Sequence, residues 1–176
     1  SMDADVAKIF HKTLEKQGIK FSLSTKVESA DMKNGHVDLS CIDLVKDRKK
    51  KYSFNKVLVA IGRKPYLNNL GLENINIEVN NNGTIKVDKN FQTTTPGIYA
   101  IGDVIDGPML AHKASSEGHV FAENILGKYP EINYNCIPAV VYTEPEVAWV
   151  GPTEKDLIKS NTPYKKGLFP FSANAR

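Results

Sequence analysis

Ile98-Tyr-Ala-Ile-Gly-Asp103, followed by Val-Ile-Asp-Gly107 and then Pro-Met-Leu-Ala-His112, decides how the rest of this chain is read. A short apolar run ends at Gly102-Asp103, a loop follows, and a helical pattern opens near Met109 and continues to about Leu126. Open α/β sheets place ligands outside the carboxyl ends of their strands, and Asp103 falls at such an end. An ionised carboxylate there accepts hydrogen bonds from two hydroxyls of a polyol or ribose. The unpaired N–H groups at the helix start, Met109 to His112, and the helix dipole favour a phosphate or an electron-rich oxygen. Together they suit a nucleotide-like cofactor with a sugar chain, although an Asp in this place also serves as an ordinary turn or capping residue.

Working outward, the helix is expected to bury Leu110, Ala114, Phe121 and Ile125 on one stripe, with Ala111 and Ala122 beside it and Gly127 as a left-handed cap. Upstream, residues 66–90 are Asn-rich and loop-like, with one strand candidate at Thr84-Ile-Lys-Val87. Lys56-Val-Leu-Val-Ala-Ile61 is a continuous apolar run of the kind found in strands covered on both faces, ended by Gly62-Arg-Lys-Pro65. Before it, Ile19 to Val27, a Lys33-Asn-Gly35 turn and His36 to Cys41 read as a meander of strands. An amphipathic helix with Val6, Ile9, Phe10 and Leu14 at helical spacing precedes them, closed by Gln17-Gly18. Downstream, Ala139 to Tyr142 and Val147 to Val150 read as strands, and Thr153 with Asp156 reads as a capping box. Ser1-Met2 looks like a cloning remnant, and Ser172-Ala-Asn-Ala-Arg176 does not read as a domain end, so both termini look cut.

Composition narrows the class. With 41% hydrophobic and 24% charged residues in 176, the chain is expected to be globular. No apolar run approaches the roughly 18 residues that span a bilayer, and no signal peptide is apparent, so the reading is a soluble, intracellular protein without a membrane role. The basic run Lys46 to Lys51 reads as a solvated hairpin turn, because a nucleic-acid site needs a longer basic face with aromatic platforms. Cys41 and Cys136 stand far apart and are expected to be reduced packing residues. Trp149, Tyr142 and Phe121, aromatics in apolar runs, are expected in the core.

Thr93-Thr-Thr-Pro-Gly-Ile-Tyr-Ala-Ile-Gly-Asp103 resembles the second flavin-binding motif of the pyridine nucleotide-disulfide oxidoreductases. Three further stretches, Ala60-Ile-Gly-Arg-Lys-Pro65, Gly107-Pro-Met-Leu-Ala-His-Lys-Ala114 and Val141-Tyr-Thr-Glu-Pro-Glu-Val-Ala-Trp-Val-Gly151, are similar to the dihydrolipoamide dehydrogenases within that family. The resemblance covers the chain after Met2. It implies an α/β fragment of a two-nucleotide-domain flavoprotein: residues 3–65 as part of the NAD domain, 66–133 as the central segment completing the FAD domain, and 134–176 as the start of an α+β interface domain. By resemblance, Asp103 binds the ribityl hydroxyls of FAD, and Met109, Leu110, Ala111 and His112 line the flavin. Val27 and Gly62 match positions that approach NAD, Val27 being equally readable as a strand core residue. The implied parent is a cytoplasmic homodimer, or a mitochondrial-matrix one if eukaryotic. It oxidises dihydrolipoamide on the lipoyl domain of 2-oxo acid dehydrogenase complexes through a redox-active disulfide, FAD and NAD. Sibling readings are a soluble transhydrogenase or another NAD(P)H-dependent disulfide reductase; a non-catalytic nucleotide-binding module is the reading from a different class. Glu144 departs from the family pattern, where His is common, and this bears on interface contacts.

The chain contains no C-x4-C pair and no G-x-G-x-x-G loop. The family's His–Glu base has no counterpart in it either, so no catalytic residue is assigned and the chain alone is expected to be inactive. His112 and Glu117 imitate the spacing of that pair, but five residues on a helix leave them about 140° apart. His119 and Glu123 share a helix face as an ordinary exposed pair. A metal site from His112, His119 and Glu123 lacks a further ligand at suitable spacing, so none is expected.

Overall fold

In the computed structural model of the chain, which describes residues 2–174, two compact units form: residues 13–64, and residues 2–12 together with 65–174. Ser1 of the supposed remnant and Ala175-Arg176 of the closing stretch lie outside the described residues. The first helix, α1 (Ala4–Lys16), is divided between the units. Its end follows the expected signal: the Gly18 N–H donates to the Glu15 carbonyl and the Ile19 N–H to the Leu14 carbonyl, the paired bonds of a Schellman stop. Of the anticipated apolar stripe, Leu14 is buried and Phe10 half-buried, but Val6 and Ile9 are exposed because no described element covers that side of the helix.

The meander is present as an antiparallel sheet of β1 (Thr25–Lys33), β2 (His36–Asp43) and β3 (Arg48–Phe54), in that order. β1 starts at Thr25 rather than Ile19, and its register slips between Val27 and Ser29. Lys33 pairs with His36 across a two-residue turn in which Asn34 and Gly35 have φ of 50° and 80°. Both values lie in the left-handed region, which matches the strand twist and is why Asn-Gly is favoured there. The basic run is only partly a turn: Arg48 to Lys51 lie on the edge strand β3. Asp43 organises that corner, accepting from the N–H groups of Val45 and Lys46 at 3.1 and 3.0 Å and from Lys50 Nζ at 2.8 Å. The Lys50 bond first, and then the Lys46 N–H, pull the Asp43 carboxyl down to about 2. Cys41, paired with Val27, is buried as expected.

Lys56–Ile61 does not form a buried strand. It is extended and open, with Leu58, Val59 and Ile61 at 88%, 73% and 96% exposure. A parallel strand exists only through ladder partners and covering helices, and among the described residues nothing supplies either. The same cause leaves Ile98–Ile101 outside any regular strand, joined through the isolated bridge of Gln92 to Tyr99. Thr84–Val87 is likewise a set of bridges: Ile85 meets Val79 and Ile105, and Val87 meets Thr93.

Those bridges surround the core of the second unit, Ile85, Phe91, Ala100 and Ile105, with Val120 and Phe121 of α2 (Ala111–Ile125) packed against it. The stripe anticipated on α2 is rotated. Leu110, Ala114 and Phe121 are half-buried, Ala111 and Ala122 exposed, and Ile125 is 68% exposed, whereas the residues fully buried are Lys113 and Glu117. Gly127 does cap the helix, its N–H donating to the Asn124 carbonyl. Further on, β4 (Ala139–Val141) and β5 (Val147–Trp149) pair antiparallel. The short helix α3 (Glu154–Lys159) then opens with the expected capping box, Thr153 and Asp156 exchanging side-chain-to-backbone bonds. Tyr142 is 83% exposed and Cys136 is exposed, against expectation; Trp149 is half-buried. Both departures fall beside the two three-residue strands, which are too short to present a covering face.

Candidate functional site

Gly102 is the hinge between the extended 98–101 segment and a 3-10 turn over Gly102–Val104. Its φ of 75° is left-handed, and a Cβ there would stand 3.2 Å from the Cβ of Ala114. Backbone shape and the close approach of α2 thus both require glycine. The turn sends Asp103 outward: its side chain is exposed and has no hydrogen-bond partner among the described residues. Asp106, three residues on, is spent internally, accepting from Asn82 Nδ2 and Thr84 Oγ1 at 2.7 Å each and from Asn80 Nδ2 at 3.2 Å. The Asn82 bond first, and then the Thr84 hydroxyl, hold its carboxyl below the usual carboxylate range. Of the two aspartates in this loop, only Asp103 is left to serve a ligand.

Beside the turn stands the start of α2. Leu110, the residue before the first helical turn, is extended and supplies no side-chain cap. The first N–H returned to the backbone is that of Ala114, which donates to the Leu110 carbonyl at 3.1 Å. Among the described residues, the N–H groups of Ala111, His112 and Lys113 have no backbone acceptor, the arrangement that attracts electron-rich oxygen. Met109 and Leu110 are half-buried next to them. His112 is committed elsewhere, its Nε2 lying 2.8 Å from the Pro138 carbonyl, so it presents its backbone rather than its ring to the turn. His112 and Glu117 do not meet, since Glu117 is buried against Lys113, Tyr134 and Gly102.

The turn that carries Asp103 packs on α2 through Gly102, whose neighbours there are Lys113, Ala114 and Glu117; Met109 and Leu110 lead into that helix and Ala111 and His112 open it. Val27 and Gly62 belong to the other unit, where Val27 is 54% exposed on β1 and Gly62 is exposed with φ of 132°. A cavity of about 840 Å³ lined by Ile85, Phe91, Asp106, Val120, Ile132 and Tyr134 includes none of the seven. The carboxylates of Asp3, Asp5 and Glu154 lie within 4.8 Å of one another. Lys166 Nζ sits on Asp5 at 2.6 Å and on Glu154 at 2.9 Å, so a cation of the protein's own already answers them. No helix among the described residues is long and apolar enough to cross a membrane. Sequence reasoning missed the Asp106 network and the buried Lys113–Glu117 pair.

Comparison with known proteins shows the family to which the chain is related. Residues 1–118 match the pyridine nucleotide-disulphide oxidoreductase family and residues 137–176 its dimerisation domain. The mitochondrial dihydrolipoyl dehydrogenases of Caenorhabditis elegans and Homo sapiens are 49% and 47% identical over 99% of the chain. The chain spans 35% of the length of each. Among solved structures, LpdA from Mycobacterium tuberculosis superposes with a TM-score of 0.81 at 26% identity, covering 92% of this chain and 34% of that one. The HOCl-induced flavoprotein disulfide reductase RclA from Escherichia coli gives 0.77 at 26% identity, covering 89% and 35%. FAD and NAD are the cofactors of this family. On the match over residues 1–118 and these likenesses, the chain belongs to the pyridine nucleotide-disulphide oxidoreductases.

Proposed function

We propose that the protein containing this chain is a dihydrolipoamide dehydrogenase, oxidising protein-bound dihydrolipoamide to lipoamide with NAD as final acceptor. The observation that carries the reading is the pairing of an unpartnered carboxylate, Asp103, with three unpaired N–H groups at the start of α2. That donor set fits a flavin with its sugar chain. Asp103 would accept from ribityl hydroxyls, and the backbone of Met109, Leu110, Ala111 and His112 would approach the ring. FAD, when bound, supplies the relay between a dithiol and a nicotinamide. What these residues would contribute is a carboxylate acceptor and backbone donors. In the other unit, Val27 and Gly62 are the positions we assign to NAD, with Gly62 admitting a close backbone approach.

The assignment of segments follows: residues 3–65 to the NAD domain, 66–133 to the flavin domain and 134–176 to a dimer interface. The match of residues 137–176 to a dimerisation domain supports a homodimer. Relatives at 47–49% identity support the dihydrolipoamide substrate and, in a eukaryotic source, the mitochondrial matrix; a bacterial source would place it in the cytoplasm. The lipoyl domain of a 2-oxo acid dehydrogenase complex is the partner that substrate implies. The chain by itself, with no C-x4-C pair, should produce no NADH from dihydrolipoamide. The open run Lys56–Ile61 counts against an independent binding module, since such modules avoid large exposed apolar surface.

The test is a visible spectrum of the full-length protein before and after dihydrolipoamide and again after NAD. A long-wavelength charge-transfer band that appears with the dithiol and disappears with NAD is the expected result. A flavin that ignores dihydrolipoamide would move the function to a sibling, a soluble transhydrogenase or another disulfide reductase.

A further inference from the structure

Lys113 and Glu117 are both fully buried, at 1% and 0% exposure, on one side of α2. Surface pairs at this spacing contribute only a few tenths of a kcal/mol, and apolar side chains of the same size would fill the space without desolvating two charges. The reason for charge here lies in what the pair holds. Lys113 Nζ donates to the Gly102 carbonyl at 3.0 Å and lies 3.1 Å from Glu117 Oε1. Glu117 Oε2 accepts the Gly102 N–H at 2.7 Å, and Tyr134 donates its hydroxyl to Oε1 at 3.0 Å. Both backbone polar groups of a single residue are therefore taken by one ion pair. The loop closes over it, since a Cβ on Gly107 would stand 3.0 Å from Lys113 Cε.

We propose that Lys113 and Glu117, with Tyr134, are positioning residues that lock the Gly102-Asp103 turn onto the first turn of α2. They thereby fix the Asp103 carboxylate relative to the unpaired N–H groups of Ala111 and His112. The proposal rests on the flavin reading of Asp103. Lys113 belongs to the same helical turn as Ala111 and His112, so a shift of Gly102 against those donors must break charge-assisted bonds, the stronger kind. Neither charged residue touches the ligand; each acts through Gly102. Misplacement of a positioned group by about 1 Å typically costs on the order of a hundredfold, which is the scale on which such a lock matters.

The experiment uses the full-length holoprotein with K113M/E117M, D103N, and the three changes together. FAD dissociation constants and visible circular dichroism of the bound flavin are read, with amide exchange in the peptide covering residues 98–104. K113M/E117M should raise the FAD dissociation constant about tenfold or more, a coupling within the ordinary range, and speed exchange in that peptide. D103N should weaken FAD less on the K113M/E117M background than on the parent, since the carboxylate is no longer held in place. An unchanged flavin signal and unchanged exchange in K113M/E117M, with D103N still weakening FAD, would overturn the lock and spare the flavin reading. D103N without effect on FAD, with exchange nevertheless accelerated in K113M/E117M, would overturn the flavin reading and with it the positioning role, leaving a purely structural brace. Y134F keeps both charges and removes one bond; it should shift the same readouts in smaller measure, and keeps the test decisive if K113M/E117M does not accumulate.

Discussion

Replacing Gly102 by alanine isolates the two reasons that position is glycine. A left-handed φ of 75° costs an L-residue about 1–2 kcal/mol. The new Cβ at 3.2 Å from Ala114 Cβ adds overpacking of about 1–3 kcal/mol, so G102A should destabilise by about 2–5 kcal/mol. The second part can be returned separately. A114G removes the opposing methyl and costs about 1 kcal/mol alone through helix propensity. In G102A/A114G the contact vanishes while the backbone strain stays, so the cycle should show a favourable coupling of about 1–3 kcal/mol, the overpacking removed. Urea unfolding of the full-length protein followed by far-UV circular dichroism measures all four members. Strict additivity would refute the close approach of α2 to the turn, and a neutral G102A would refute both terms.

Three other perturbations have definite signs. The Asp43 carboxyl, held near 2 by Lys50 and the Lys46 N–H, contributes stability that is present above the ordinary carboxylate value and is lost as pH falls toward 2. Amide exchange in the peptide covering residues 43–50 should accelerate over that window, and the change should be absent in D43N. Tyr134 is pushed up to about 12 by burial and by its bond to Glu117, so its contribution is complete below pH 10 and is lost on the way to pH 12. Tyrosinate absorbance in the parent minus Y134F should show one phenol titrating late, together with loosening of α2. Finally, T153A removes the capping box of α3 and should cost about 1 kcal/mol, read as a lower urea midpoint; T153S should retain most of it.

Signals confined to a few neighbouring residues were the ones the sequence made legible. Asn34-Gly35 dictates its turn, Gln17-Gly18 its helix stop and Thr153 with Asp156 its cap, because the atoms involved are neighbours in the chain. The Gly102-Asp103 turn and the helix after it were legible for the same reason. Lys56–Ile61 was not, since an apolar run states that it wants to be covered but not by what. Charge misled the reading of α2. Counting back from Val120 and Phe121 in steps of three and four leads to Glu117 and Lys113, and only the habit of placing charged residues outside hid that stripe. Asp106 meets Asn80, Asn82 and Thr84 across more than twenty residues, a distance over which residue type carries no pairing information.

The four consecutive cations Arg48 to Lys51 on β3 acquire a meaning from where that strand lies. Among the described residues β3 is an outer strand of the three-stranded sheet, and its outward backbone groups would accept another strand from a neighbouring molecule. A second β3 drawn alongside would set like charges against like at each step, so self-association through this border is opposed electrostatically. Raising the ionic strength, or exchanging Lys49 and Lys51 for valine, weakens that opposition, and colloidal stability should fall with either change while the fold is retained. The stretch that looks most like a polyanion site is thus better understood as what keeps the sheet finite.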